Sequence, residues 1–157
     1  ILRDRFGEKC MIGAGTAISV DLAKAAIGAG AQFLLTPGTP IDVLQYCAKK
    51  DIMLLPGVFT PGDVATSLEF GYKTMKLFPA GCAPKGYLKA LKGPYDEANY
   101  IAIGGVTIDN INDYFKEGYM GVGLASNLMP LSVLKDKNWD LGVSYVQKYV
   151  SRVKRRV

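Results

Sequence analysis

The chain has 157 residues, 49% of them hydrophobic, so it is long enough for one substantial core and too short for two ordinary domains. Most of its formal net charge of +5 comes from Arg152, Lys154, Arg155 and Arg156, and this basic end lacks the interleaved aromatic residues that a nucleic-acid surface requires. There is no histidine, and the three cysteines lack metal-ligand spacing, which excludes histidine-based triads and histidine-ligated zinc.

Six short apolar runs recur at intervals of roughly 20 to 26 residues, with helix-like segments between them. In chain order they are Cys10–Ile12, Gln32–Leu35, Ile52–Leu55, Thr74–Leu77, Tyr100–Ile103 and Met120–Val122. Strands that alternate with helices form parallel sheets. The pattern therefore predicts an α/β fold of six strand–helix units in a single domain over residues 1–157.

Polar and glycine residues at the ends of the intervening segments indicate where helices begin and end. Helix N-caps are predicted at Ser19, Thr39, Thr60 and Thr107, the second and third of which precede a proline suited to the first helical position. Left-handed C-terminal caps are predicted at Gly30, Gly71 and Gly118. A last helix, from Leu141 to Arg155, is predicted to cover the outside of the sheet with the apolar row Val143, Val146, Val150 and Val153.

Small or rigid residues follow every predicted strand. They are Gly13–Thr16, Thr36–Gly38, Pro56–Gly57, Phe78–Ala80, Gly104–Gly105 and Gly123. In parallel α/β folds ligands bind at the carboxyl ends of the strands, so these residues predict a binding rim. Gly104 and Gly105 offer unobstructed N–H groups, and the stretch from Gly123 to Ser126 is predicted to open a short helix, which together predict a phosphate site. A Rossmann site is rejected because Ile18 stands where the third glycine belongs.

Lys76 is the unusual residue of the fourth strand. Side chains alternate along a strand, so Thr74, Lys76 and Phe78 share one face while Met75 and Leu77 share the other. A lysine enclosed by Phe78 and Pro79 loses hydration of its ammonium form, which lowers its pKa and makes the neutral amine available. Lys76 is thus a candidate Schiff-base nucleophile.

These motifs together resemble the 2-keto-3-deoxy-6-phosphogluconate (KDPG) aldolase family, which includes 4-hydroxy-2-oxoglutarate (KHG) aldolases. The resemblance rests on six blocks that span nearly the whole chain: Gly13–Thr16, Thr36–Gly38, Leu55–Gly57, Lys76–Pro79, Ile103–Val106 and Ser126–Pro130. It implies a (β/α)₈ TIM barrel in a homotrimer, of which this chain carries the last six units. It also implies a class I aldolase that cleaves a phosphorylated keto acid to pyruvate and glyceraldehyde 3-phosphate.

The resemblance also implies residue roles. Lys76 would form the imine, so neither a metal nor another cofactor would be needed. Thr16, Pro37 and Phe78 would line the pyruvate pocket, and Gly104, Gly105 and Ser126 would reach the substrate phosphate. The family's general acid/base glutamate and its substrate-binding arginine belong to a second strand without a counterpart here, and no carboxylate of this chain is predicted to end a strand.

Two other functions fit the same residues. A different phosphate-binding barrel enzyme, such as a phosphosugar isomerase or synthase, would use the glycine rim without needing Lys76 as a nucleophile. A non-catalytic phosphate-binding fragment would need no general base. We expect no membrane partner, since no apolar run approaches the ~20 residues of a span, and the cysteine content together with an N-terminus unlike a signal peptide favours the cytoplasm.

Overall fold

The computed structural model describes residues 1–154, and within them all neighbouring strands are parallel. One sheet has the order β1 (Gly13–Ala14), β2 (Phe33–Leu35) and β3 (Leu54–Leu55). The second has the order β4 (Gly57–Val58), β5 (Thr74–Leu77), β6 (Asn99–Ile103) and β7 (Gly121–Gly123). Strand order follows chain order, and helices lie between the strand regions, so the predicted parallel α/β fold is confirmed.

Pro56 divides one extended stretch into β3 and β4. β3 pairs with the preceding strand, β2, whereas β4 pairs with the following strand, β5. In the second pair Gly57 lies opposite Lys76. Proline has no N–H to donate to a sheet, but the Pro56 carbonyl accepts the Lys76 N–H at 2.8 Å. The third strand region is therefore longer than the predicted Ile52–Leu55 and contributes to both sheets.

Three glycines that were predicted to follow strands lie within them. Gly13 begins β1, which therefore follows the predicted strand Cys10–Ile12, and a side chain at Gly13 would collide with the ring of Phe33. Gly57 and Gly123 are likewise strand residues against which a neighbouring segment packs too closely to admit a Cβ. The prediction that these glycines follow the strands is therefore wrong, because each lies within a strand where a neighbouring residue leaves no space for a Cβ.

Eight α-helices lie within residues 1–154. They are α1 (Leu2–Phe6), α2 (Val20–Gly28), α3 (Ile41–Lys49), α4 (Pro61–Glu69), α5 (Tyr87–Lys92), α6 (Ile111–Glu117), α7 (Leu131–Lys135) and α8 (Trp139–Lys154). A 3₁₀ turn, Ala80–Cys82, follows β5.

Two of the four predicted N-caps, Ser19 and Thr60, are confirmed. Ser19 accepts the N–H of Leu22 at the start of α2, and Thr60 forms a reciprocal capping box at the start of α4. The prediction for Thr39 is wrong, since Pro40 is the N-cap of α3 and the Thr39 hydroxyl donates to Asp63.

Thr107 caps the turn that precedes α6, and the helix itself begins only at Ile111. Its hydroxyl accepts the Asn110 N–H at 3.3 Å, so the prediction of a helix N-cap here is also wrong. The predicted left-handed glycines are confirmed, with φ of +94° at Gly30, +86° at Gly71 and +103° at Gly118.

The last helix begins at Trp139, and its predicted end, Arg155, lies outside the described residues. Its buried face contains Gly142 and Tyr149, whereas Val143 is 54% and Val150 43% exposed. The predicted valine row is therefore wrong as the buried face. Tyr149 is 7% exposed and its ring packs into the core, which decides the face that the helix buries.

Each sheet has its own apolar core, and the core lies on one face of the strands. Met75 and Leu77 of β5 are fully buried in it, while Thr74 and Lys76 are half-buried on the opposite face. This agrees with the predicted alternation. The opposite face is where the register places Gly57, Lys76, Ile101 and Gly121 side by side across four strands.

All three cysteines are free thiols, and burial raises the pKa of the Cys47 thiol. Within residues 1–154 no helix combines the length and apolar character that a membrane span requires.

Candidate active site

Lys76 occupies the middle of β5, between Gly57 of β4 and Ile101 of β6 in register. Its Nζ lies 4.2 Å from the centre of the Phe78 ring, two residues further along the same face. Burial lowers the pKa of the Lys76 ammonium. No carboxylate within residues 1–154 forms an ion pair with Lys76, so no local negative charge offsets this effect.

Gly104 and Gly105 form a turn that packs directly against the segment following Lys76. Both have left-handed backbones, with φ of +89° and +83°. A Cβ at Gly104 would lie 3.1 Å from the Phe78 ring, and a Cβ at Gly105 would lie 2.8 Å from Cα of Gly81. Only glycine fits this approach. The Phe78 ring thus lies close to both the lysine and the glycine turn.

Pro37 lies against Gly57, the residue opposite Lys76 in the sheet. The Pro37 backbone lies so close to Gly57 that a side chain there would collide with it. The hydroxyl of the fully buried Thr36 donates to the Gly38 carbonyl at 2.6 Å and accepts the Gly57 N–H at 3.1 Å. Thr36 was predicted as part of the rim, but its bond to Gly57 was not, because Gly57 lies 21 residues away in sequence.

Of the predicted site residues, Lys76, Phe78, Gly104 and Gly105 lie close together. Pro37 lies against Gly57, which is opposite Lys76. Thr16 and Ser126 follow strands on the same edge, and both are exposed. Thr16 has a left-handed backbone, with φ of +60°. Among the described residues, no side-chain hydrogen bond joins either of these two residues to Lys76.

The loop after β7 differs from its prediction. Residues 123–126 open a turn and not a helix, in which the Leu128 N–H donates to the Ala125 carbonyl at 3.0 Å. Helix α7 begins only at Leu131, after Pro130. A cavity of about 400 Å³ lies beside this loop and is lined by Ser126, Thr107 and Lys148, among others.

The carboxylate of Asp63 is engaged in hydrogen bonds that hold the start of α4. Asp63 accepts hydrogen bonds from the Phe59 and Thr60 N–H groups and from the Thr60 and Thr39 hydroxyls. Burial raises the pKa of the Asp63 carboxyl, but these hydrogen bonds outweigh burial and lower it overall. Within residues 1–154 there is no group of three or more histidine, cysteine, aspartate or glutamate side chains placed to hold a metal ion.

Comparison with known proteins assigns the chain to a family. The family profile described as KDPG and KHG aldolase matches residues 2–144. The chain belongs to the KDPG and KHG aldolase family.

Relatives of this aldolase-family chain are similar to it over most of its length. It is 31% identical over 148 residues to the 2-dehydro-3-deoxy-6-phosphogalactonate aldolase of Escherichia coli K12, covering 93% of this chain and 72% of that protein. It is 34% identical over 130 residues to a 2-dehydro-3-deoxy-phosphogluconate aldolase of Pseudomonas aeruginosa, covering 82% of this chain and 59% of that protein. A Treponema pallidum relative of that name is covered over 50% of its length.

Solved structures of family members share the fold. The KDPG aldolase of Legionella pneumophila, in which pyruvate was captured as a covalent carbinolamine intermediate, has a TM-score of 0.85 at 30% identity. The alignment covers 92% of this chain and 70% of that one. A native KDPGal structure has a TM-score of 0.82 at 28% identity, covering 98% of this chain and 75% of that one.

Proposed function

We propose that this chain is part of a class I aldolase that cleaves 2-keto-3-deoxy-6-phosphogluconate, or a related 4-hydroxy-2-oxo acid, through an imine on Lys76. The carrying observation is the half-buried amine of Lys76, which packs against Phe78 with no carboxylate partner in residues 1–154. Burial lowers the pKa of this amine, and the neutral form is the nucleophile that attacks a ketone.

The reaction begins when the Lys76 amine adds to the 2-keto carbon and water leaves, which forms a protonated imine. A general base then removes the proton of the C4 hydroxyl, and the C3–C4 bond breaks. Its electron pair moves into the imine to give an enamine, and glyceraldehyde 3-phosphate departs. Protonation at C3 and hydrolysis then release pyruvate and regenerate the free amine.

We assign the pyruvate end of the substrate to Thr16, Pro37 and Phe78, and the phosphate to Gly104, Gly105 and Ser126. The glycine turn contacts the ring that also contacts Lys76, which supports this arrangement. Lys148 is the one charged side chain among the described residues that line the cavity beside Ser126. A cation at this end suits an anionic group.

The general base is proposed to lie on two further β/α units that complete an eight-unit barrel. When β3 and β4 are taken as one stretch through Pro56, β1 and β7 are the outer strands of the described chain, and each pairs along one edge only. Side chains on the Lys76 face, such as Ile101 and Ile103, are half-buried, whereas Tyr100 and Ala102 on the opposite face are fully buried. Two more strands would pair with the open edges and bring a carboxylate towards Lys76.

We further propose that the aldolase is a cytoplasmic homotrimer that requires no metal, because the imine itself polarises the substrate. A non-catalytic phosphate-binding role is the second candidate. It is favoured by the absence of a carboxylate near Lys76 within residues 1–154.

Borohydride reduction in the presence of pyruvate tests the proposal. We expect one reduced pyruvate adduct per chain, located on Lys76 by peptide mass mapping. The variant Lys76→Arg keeps the charge and should lose the adduct. Lys73→Arg, three residues away at an exposed, ion-paired lysine, is the matched control and should keep it. An unmodified Lys76, or an adduct retained by Lys76→Arg, would reject the assignment.

A further inference from the structure

The peptide that joins Gly105 to Val106 is held by the side chain of Asn110. Nδ2 of Asn110 donates to the Gly105 carbonyl at 2.9 Å, and Oδ1 accepts the Thr107 N–H at 2.8 Å. Both polar atoms of one amide therefore bind main-chain groups, one on each side of Val106. A carbonyl on one side and an N–H on the other require an amide, because a carboxylate could not donate to the carbonyl.

The preceding peptide of the turn is held by a different donor. The Gly104 carbonyl accepts the Gly81 N–H at 2.8 Å, and Gly81 belongs to the 3₁₀ turn that follows β5. This bond joins two main-chain groups and involves no side chain. The carbonyls of Gly104 and Gly105 are thus held independently of each other.

Each of these bonds fixes the N–H group of the same peptide. All peptides of the turn are trans, and in a trans peptide the carbonyl and the N–H point in opposite directions. The Gly105 carbonyl shares its peptide with the Val106 N–H, so Asn110 directs the Val106 N–H away from itself. Gly81 directs the Gly105 N–H in the same way, through the Gly104 carbonyl.

The two N–H groups directed in this way have no acceptor in the part of the chain from residue 1 to residue 154. Val106 is only 2% exposed, and an N–H without a partner is rare in a residue so deeply buried. Successive N–H groups without acceptors are suited to an anion. The turn also packs against Phe78, whose ring lies 4.2 Å from Nζ of Lys76, so this anion site belongs to the same rim as the lysine.

We propose that Asn110 is a positioning residue that directs the Val106 N–H towards the phosphate of the aldol substrate. It acts through the Gly105 carbonyl and does not touch the phosphate. The inference rests on the proposed function, because it takes the anion to be the phosphate of that substrate. It extends the function by naming the side chain on which one of the two N–H groups depends, while the other depends on Gly81.

One variant and a matched control test this role. Asn110→Ala removes both bonds of the amide. Asn138→Ala is the control, because it removes an exposed asparagine at the start of α8 whose Oδ1 accepts a main-chain N–H, that of Leu141, at 3.2 Å. Both variants lose a bond between residues three apart, but only Asn110→Ala also releases a carbonyl of the glycine turn. Thermal unfolding checks that both fold.

Amide resonances followed during titration with inorganic phosphate give a readout independent of catalysis. In the parent protein we expect the resonances of Gly105 and Val106 both to shift. At saturating phosphate Asn110→Ala should lose most of the Val106 shift and keep that of Gly105, whereas Asn138→Ala should behave like the parent. A folded Asn110→Ala protein with the full Val106 shift would overturn the inference. So would a parent protein in which Val106 does not respond, whether or not the variant folds.

The second readout is the ratio of kcat/KM for the phosphorylated keto acid to that for its unphosphorylated counterpart. We expect Asn110→Ala to lower this ratio roughly 10-fold, through a higher KM for the phosphorylated substrate, since a hydrogen bond to a charged group is being misaligned. Equal losses for the two substrates would contradict the role, and pyruvate trapping on Lys76 should stay unchanged. If the parent protein traps no pyruvate, the proposed aldolase function fails, while the phosphate titration still decides the role of Asn110.

Discussion

The hydroxyl of Thr36 provides the sharpest test of how the site is held together. Thr36→Val keeps the shape of the side chain and replaces the hydroxyl by a methyl group. The substitution leaves two main-chain groups without their partner: the N–H of the buried Gly57 and the carbonyl of the half-buried Gly38. Gly57 lies opposite Lys76, so the perturbation reaches the site directly.

The magnitude follows from the burial of each group. A buried N–H without an acceptor costs about 1–3 kcal/mol, and we assign up to about 1 kcal/mol to the Gly38 carbonyl because water can reach it. We therefore expect Thr36→Val to lower the free energy of unfolding by about 1–4 kcal/mol. For a chain of this length that corresponds to a decrease in Tm of roughly 2–16 °C. Thr36→Ser keeps the hydroxyl and should cost about 1 kcal/mol for the lost methyl group.

Urea unfolding of the parent, Thr36→Val and Thr36→Ser proteins is the assay. We expect the midpoint to fall in the order parent, serine, valine with an unchanged slope, and the rate of pyruvate trapping to fall in the same order. A valine variant as stable as the serine variant would refute the reasoning. The fully buried hydroxyl would then contribute nothing to the junction of β2 and β4.

Three further substitutions test the rim. Gly105→Ala adds a Cβ 2.8 Å from Gly81 at φ of +83°, so we expect a loss of about 1–3 kcal/mol in urea unfolding; an unchanged midpoint would contradict it. Lys76→Met should raise Tm at pH 7 by about 1–3 °C, since burial lowers the pKa of Lys76 and disfavours its charged form in the folded state; a lower Tm would oppose this. Asp63→Asn should destabilise the protein most at neutral pH. Because folding lowers the pKa of Asp63 below 3.8, its stabilisation is present above that value and disappears as pH falls through the folded pKa. Unfolding curves at pH 7 and about pH 3 check this, and a constant difference would contradict it.

The sequence is sufficient to predict those elements whose interacting residues lie near one another in the chain. The Thr60 capping box involves Asp63, three residues on, and the left-handed glycines at positions 30 and 71 serve the helices immediately before them. The alternation that sets Lys76 apart from Met75 is also local. These features could be predicted because distant contacts do not compete with them.

Predictions fail where a distant residue decides the outcome. The Thr39 hydroxyl donates to Asp63, 24 residues away, instead of capping α3. Val143 and Val150 of α8 are exposed because Tyr149 enters the core. The bonds of Thr36 to Gly57 and of Asn127 to Val106 have no local signal, since each joins residues 21 apart that only the fold brings together.

The glycine-rich loops of the rim are costly to order on folding. Glycine-rich loops leave room for a substrate but lose more conformational entropy on folding than other loops, and they have no side chains of their own to anchor them. Here the anchors are hydrogen bonds between side chains and main-chain groups. Thr36 and Asp63 accept the N–H groups of Gly57 and Phe59. The side chains of Tyr87, Asn110 and Asn127 donate to the carbonyls of Phe59, Gly105 and Val106. Such bonds fix the peptides without filling the space in front of them. The anchoring residues should therefore affect substrate affinity and loop stability together, although none of them needs to touch the substrate.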